Sequence, residues 1–444
     1  MRLQEELAAR PGTDATSVCG DLSGKARLLA MAWDVLHCER GVMPFPDIGT
    51  TGPLAFARIA CQSSAVARGL GTGVQVRCRR GRFSGVSTLS VGAATVRDGL
   101  RIHVMDGGRR ILQARTDSSL EAVIDPVFRA AAWCASARGG RLVVLFYHRV
   151  LAAPDPMLPT EPDARIFDAQ MRALGGMFNV LPMDEAIARL TEGRLPPRAA
   201  CITFDDGYRD NLQIAAPILA RHGMTATFFV ASGFLDGGRM FNDTVRESVR
   251  RLPTGEHDLS WLNLGRRQVD DSASRMSLFM DAVAAIKYLD PDARDAAGDR
   301  LAALADAPLP DDLMMTSDEV RALQRSGMEV GGHTLTHPIL SRIGDDEARR
   351  QIDGNRAVLA SLLERPPRFF AYPNGVPQRD YAARHVAMAR DAGYQAAVST
   401  ARGTCTHDSD LFQLPRFAPW HSRATDYRLS LLKSLAKRTS ETRA

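Results

Sequence analysis

From Arg141 onward the chain repeats one pattern: a short apolar run, a polar terminus, then a stretch with helical spacing. Leu142-Val143-Val144-Leu145-Phe146-Tyr147 ends at His148, Ala200-Cys201-Ile202-Thr203-Phe204 ends at Asp205-Asp206, and Thr225 to Ala231 is a further run. Met328-Glu329-Val330 leads to His333, and Arg368-Phe369-Phe370-Ala371-Tyr372 leads to Pro373-Asn374-Gly375. Apolar strands alternating with helices predict a largely parallel α/β architecture, and polar groups just past strand ends are where α/β barrels gather their chemistry. Too many residues separate Ala231 from Thr316 for a loop. This stretch reads as a helical insertion over about 238–315, and Thr316 with Glu319 fits a capping box where the barrel pattern resumes.

Residues 1–138 are patterned differently and predict a smaller α+β domain. Helical spacing around Lys25 to Cys38 gives way to alternating segments at Val74 to Arg79, Ser87 to Val96 and Arg101 to Met105. Asp106-Gly107-Gly108 and the run from Arg109 to Arg115 complete a hairpin signal. A helix from Leu120 to Ala137 then leads into Gly139-Gly140, read as the boundary of a second domain over 141–425. The remaining 426–444 is a basic tail in which Leu429, Leu431, Leu432 and Leu435 mix with Lys433, Lys437 and Arg438. It predicts a frayed terminal helix, with peripheral contact to a membrane surface as the second reading.

With 444 residues, 45% of them hydrophobic and 24% charged, burying a core is not limiting. The acidic N-terminus lacks the basic start and apolar run of a signal peptide, and no apolar stretch is long enough to span a bilayer, so a cytoplasmic location is expected. Seven scattered cysteines without a C-x-x-C pair predict neither a disulfide framework nor a thiolate zinc site. A net charge of +5 argues weakly for an anionic partner. Nine arginines lie between Arg77 and Arg115, but aromatic residues are sparse there, which speaks against nucleic acid as a partner.

Two short segments carry the candidate chemistry: Thr203-Phe204-Asp205-Asp206-Gly207-Tyr208 and His333-Thr334-Leu335-Thr336-His337. Imidazole and carboxylate donors suit zinc or a similar divalent ion, and three protein ligands leave a position for water, the arrangement of a catalytic metal site. Adjacent aspartates at a strand end diverge, so one can bind metal while its neighbour faces the water. The histidines are four apart, the spacing that puts two side chains on one face of a helical turn.

These segments resemble the polysaccharide deacetylases with a NodB-homology domain, carbohydrate esterase family 4, whose first motif is T-F-D-D-G and second H-[ST]-x-x-H. The resemblance spans roughly residues 141 to 425 and takes in Tyr147-His148-Arg149-Val150, Phe370-Ala371-Tyr372-Pro373-Asn374-Gly375 and Leu414-Pro415-Arg416. It implies a distorted (β/α) barrel that removes N-acetyl groups from N-acetylhexosamine-containing poly- or oligosaccharides, lipid-linked or polymeric. It further implies Asp205 as general base, Asp206, His333 and His337 as ligands of a divalent metal such as zinc, and a backbone N–H at Asn374 for the oxyanion. Tyr208, Tyr372 and Pro373 fall at positions implied to bind substrate.

Two departures stand out. Where relatives have R-x-P-Y, this chain has Ala371-Tyr372-Pro373-Asn374, so the arginine that braces the base is missing there, and Arg416 is the candidate substitute. The histidine of the common L-x-H pattern is missing too, which leaves His148 as candidate general acid. Two other readings remain open: hydrolysis of another C–N amide bond on the same fold, and a carbohydrate-binding protein whose catalysis has lapsed.

Overall fold

The computed structural model of the protein describes residues 140–436 continuously, together with 128–133, Ser136, Ala444 and the backbone of four strands between 73 and 116. Those strands, β1 (Gly73–Arg79), β2 (Val86–Val96), β3 (Gly99–Asp106) and β4 (Arg109–Thr116), form an antiparallel sheet in chain order. Asp106 pairs with Arg109, so β3 and β4 are the two arms of the expected hairpin. The helix expected at Lys25 to Cys38 lies outside the described residues. Of the Leu120 to Ala137 helix, 128–133 is described and helical, and its Phe128 and Ala132 pack into the core of the second domain. A boundary at Gly139-Gly140 therefore cuts between a helix and the barrel on which it rests.

The barrel is built from β5 (Leu142–Tyr147), β6 (Asn179–Val180), β7 (Ala199–Phe204) and β8 (Thr227–Val230). After the insertion, which contains β9 (Gly255–Asp258) and β10 (Arg266–Val269), it continues with β11 (Glu329–Gly332), β12 (Phe369–Ala371), β13 (Ala396–Arg402) and β14 (Leu414–Arg416). The strands run parallel in the order β14-β13-β12-β11-β8-β7-β5, with β6 as a side branch on β7. Phe417, just past β14, closes the ring: its N–H donates to Val144 O at 2.8 Å and its carbonyl accepts from Phe146 N at 3.0 Å. A register shift between Val398 and Arg402 and this single closing bridge are the barrel's distortion.

Both faces of β5 and β7 are buried, which is why they read as unbroken apolar runs rather than alternating ones. The outward set, including Val143, Leu145, Ile202 and Phe204, packs under the helices. The inward set, including Leu142, Val144, Ala199 and Cys201, packs with Phe229, Ala371 and Leu414. Strand periodicity of two then carries the inward rows up to Phe146, to Thr203 and Asp205, and to Arg416. Those polar groups thus share the interior at one end of the barrel.

The insertion is not purely helical, as the sequence suggested. Helices Phe241–Arg250, Ser272–Ile286 and Pro291–Ala302 pack with the β9–β10 hairpin around a separate core that includes Val245, Leu262, Leu278 and Leu301. The hairpin escaped detection because Glu256, His257, Arg266 and Arg267 give it no apolar alternation. The expected terminal helix is present over Ala424–Ala436 and is packed rather than frayed there: it buries Tyr427, Leu431 and Leu435, spaced four apart on one face, against the helix Ala164–Met177. Lys437 and Arg438 lie outside the described residues. Among the described residues, no helix is long and apolar enough to cross a membrane.

Candidate metal and catalytic site

Asp205 and Asp206 follow β7, His333 follows β11, and both segments meet at one rim of the barrel. Asp206 Oδ1 lies 3.4 Å from His333 Nε2 and 3.6 Å from His337 Nε2. One ligand atom from each of the three residues falls within 4.8 Å of the others. The Asp206 backbone takes the left-handed region (φ 80°), followed by Gly207 (φ 91°), which turns the second carboxylate away from the first.

His333 and His337 do not share a helical turn. Their loop is irregular, with left-handed backbone at Thr334 (φ 64°) and His337 (φ 53°), and the Thr334 hydroxyl accepts from the His337 N–H at 3.1 Å. Gly332 precedes it because a Cβ there would come within 2.1 Å of the Tyr394 hydroxyl and 2.5 Å of Asn355 Oδ1. Asn355, on the helix Asp345–Leu362, is buried and holds the loop: its Oδ1 accepts from His333 N–H at 3.1 Å and its Nδ2 faces the carbonyls of Thr334 (2.7 Å) and Val230 (3.0 Å). One turn earlier, Gln351 Oε1 accepts from Thr336 N–H at 2.9 Å. Neither residue was singled out from the sequence. Their signal is two amides four apart, interleaved with the buried Ala348, Ile352 and Leu359.

Replacing Asn355 with Ala leaves these buried groups unpaired, at a cost of about 1–3 kcal/mol. Because the loop carries two candidate ligands, zinc affinity should fall roughly 10–100-fold as well. Thermal unfolding and competitive zinc titration check both expectations.

The donor set fits a divalent ion. His333 Nδ1 lies 2.7 Å from the Ala371 carbonyl, which can only accept, so Nδ1 carries a proton and Nε2 is the ring atom turned toward Asp206. Burial pushes the His337 imidazole down to about 3, so it is neutral near pH 7. Burial works to raise Asp206, but the His333 hydrogen bond and the neighbouring imidazoles outweigh it and hold this carboxyl well below its usual range. Two imidazoles and a carboxylate are ligands that zinc takes.

Asp205 is 3% exposed, and each of its carboxylate oxygens accepts from Arg416 at 2.7 Å. Arg416 is completely buried; it also donates to Thr203 Oγ1 (3.1 Å) and the Ser399 carbonyl (3.0 Å), and its guanidinium lies 4.6 Å from the Phe146 ring centre. Burial alone would raise the Asp205 carboxyl, and Arg416 more than reverses that, so the group is held ionised. Arg416 on β14 thus pairs with Asp205 in a chain that has Ala371 where relatives have an arginine.

His148 stands at the end of β5, its ring edge-on to Phe146 at 5.8 Å. Burial lowers its pKa most, but the carboxylates of Asp206, Glu161 and Asp205 together raise it above the ordinary value. Asn374 has left-handed backbone (φ 58°), and none of the described residues accepts from its N–H.

The three expected substrate contacts are corrected. Tyr372 is completely buried, stacked on Tyr381 at 4.0 Å with its hydroxyl on the Phe412 carbonyl, and Pro373 beside it is buried too. Tyr208 is 2% exposed, and its hydroxyl donates to the buried Asp243 of the insertion at 3.0 Å. The returning strand of the insertion adds two backbone bonds, Met315 N to Gly207 O (3.0 Å) and Arg209 N to Leu313 O (2.9 Å). Tyr208 therefore ties the metal-site turn to the insertion.

Part of the chain is similar to known proteins. Residues 192–397 match the profile of the polysaccharide deacetylase family. YxkH of Bacillus subtilis, provisionally named a polysaccharide deacetylase, is 20% identical over 288 residues, 64% of this chain and 74% of that protein. Among solved structures, the Streptococcus pyogenes deacetylase PplD, determined in complex with acetate, aligns at 17% identity over 63% of this chain and 92% of its own, with a TM-score of 0.42. IcaB from Ammonifex degensii aligns at 18% identity over 67% of this chain and 97% of its own, also with a TM-score of 0.42. Over residues 192–397, which enclose both motifs, the chain is similar to the polysaccharide deacetylase family.

Proposed function

We propose that the protein is a divalent-metal-dependent hydrolase that removes N-acetyl groups from N-acetylhexosamine units of a poly- or oligosaccharide. The observation that carries the reading is an ionised, arginine-held Asp205 directly beside the Asp206, His333 and His337 cluster. A divalent ion held there supplies, when bound, Lewis acidity toward the acetamide carbonyl and an activated water near neutral pH.

The chain's own groups divide the remaining work. Asp205 uses the lone pairs left free by Arg416 to take a proton from the attacking water. The Asn374 N–H stands available as donor to the carbonyl oxygen as negative charge builds on it. His148, whose pKa the surrounding carboxylates raise, gives a proton to the departing nitrogen as the C–N bond breaks, leaving acetate and a free amine. A binding protein has no use for a base, so the retained Asp205 counts against lapsed catalysis.

The test is acetate release from N-acetylglucosamine oligomers by chelated and zinc-reconstituted protein. Chelation should remove release and zinc should restore it. Release indifferent to chelation, or none from the zinc-loaded protein, overturns the proposal.

A further inference from the structure

The left-handed backbone at Asp206 (φ 80°) is one that a residue with a side chain keeps only where its surroundings enforce it. The barrel contributes a bond from the Ala231 N–H to the Asp206 carbonyl at 3.2 Å. The insertion contributes more. Its last residue, Met315, donates to the Gly207 carbonyl, and the Tyr208 hydroxyl lies 3.1 and 3.0 Å from the two carboxylate oxygens of Asp243.

Asp243 is itself anchored. It is completely buried in the first turn of the helix Phe241–Arg250, three residues before Arg246, whose guanidinium donates to it at 2.6 Å and rests 5.2 Å from the ring centre of Phe279. Phe279 belongs to the helix Ser272–Ile286 and packs on the insertion's own core. A carboxylate held by that core therefore reaches into the barrel. A charge-assisted hydrogen bond between buried groups is short and directional, so it fixes the Tyr208 ring as well as its hydroxyl.

The ring passes the constraint on. Arg149 lies over its face, 4.7 Å from the ring centre, and donates through Nε to Asp210 at 2.7 Å. Asp210 also accepts from the Val150 N–H at 3.3 Å, and the neighbouring Asn211 donates through Nδ2 to the His148 carbonyl at 2.9 Å. Asp206 on one side and His148 on the other thus share a buried network whose far end lies on the insertion. A flap that swings open over substrate would have to break it, together with the backbone bonds at Gly207 and Arg209.

We infer that Asp243 is a positioning residue of the metal site: acting through the Tyr208 hydroxyl, it keeps Asp206 facing His333 and His337, so that affinity for the divalent ion depends on the insertion. The inference rests on the metal-site part of the proposed function and goes beyond it in giving the insertion a task toward the ion rather than toward substrate.

The experiment withdraws zinc from the zinc-loaded full chain with a graded competing chelator, well below the unfolding temperature. The forms compared are the wild type, Tyr208→Phe, Asp243→Asn, the two combined, and Leu278→Ala, which weakens the insertion's core without touching the link. Each of the first two variants should bind zinc roughly tenfold more weakly, as happens when an outer partner of a metal ligand is lost. The combined variant should be no weaker than the worse single one, because both remove the same link. Leu278→Ala should bind zinc as the wild type does. Wild-type affinity in Tyr208→Phe, additive losses in the combined variant, or an equal loss in Leu278→Ala overturns the assignment, and the last marks the role as merely structural. If Asp243→Asn does not fold, Tyr208→Phe set against Leu278→Ala still decides. Acetate release by the wild type is followed separately. Its absence, with zinc binding weakened as expected, sinks the deacetylase reading and keeps the positioning role, whereas a wild type that holds no zinc sinks both.

Discussion

Exchanging Asp205 for Asn lowers acetate release by roughly a hundredfold to ten-thousandfold, the span that a positioned general base contributes, while zinc content per chain stays at the wild-type level. The separation follows from the turn between the two aspartates. Asp206 faces the imidazoles and Asp205 faces Arg416, so one carboxylate can be neutralised without disturbing the other's partners. Asn keeps the shape of the side chain and one acceptor for the guanidinium but cannot carry the water proton. Elemental analysis beside acetate kinetics decides the matter. Loss of zinc in this variant would mean that Asp205 is a ligand, and unchanged turnover would remove it from the chemistry.

Replacing Arg416 with Met has the largest expected effect on the fold, a loss of about 3–5 kcal/mol at neutral pH, because it strands a buried carboxylate whose only cation is gone. The sign of the pH dependence should reverse with it. In the wild type the folded-state pKa of Asp205 is depressed, so its contribution is present above the unfolded carboxyl value of about 3.9 and is lost as pH falls through the lower folded value. In the variant burial loses its main opponent and only the weaker pull of His333 and His148 is left, so the folded pKa rises above the unfolded one and stability improves as acid protonates the group. The acid limb of the activity profile moves to higher pH for the same reason. Lys at this position restores charge but not the paired, planar contact with both oxygens, so it should rescue only in part. Urea unfolding at pH 7 and pH 5, with the pH profile of residual activity, measures both shifts. A variant with wild-type stability would show that the ion pair is not what keeps Asp205 in place.

What could be read from the sequence depended on the distance between cause and effect along the chain. Asp205 with Asp206, and His333 with His337, fall within short runs after apolar strands, and the structure brings the four to one rim. The backbone that aims the histidines was misread, because a spacing of four suits both a helical turn and this irregular bend, and only Asn355 and Gln351, about twenty residues downstream, select the bend. Tyr372 lies within the Ala371–Asn374 run that stands where relatives have R-x-P-Y, and the Tyr381 ring on which it stacks gives no local sign of the burial. Arg416 could be nominated only because an arginine was lacking elsewhere, and its bond to Asp205 belongs to barrel closure rather than to any motif.

The placement of Arg416 also sets an order of events in time. All three candidate metal ligands lie between residues 206 and 337, but the cation that ionises the base arrives from β14, 211 residues after Asp205. A chain emerging from the ribosome therefore holds its complete ligand set well before it holds a competent base. On the proposed reading, hydrolytic power is withheld until β14 has docked, one residue before the Phe417 bonds that close the barrel.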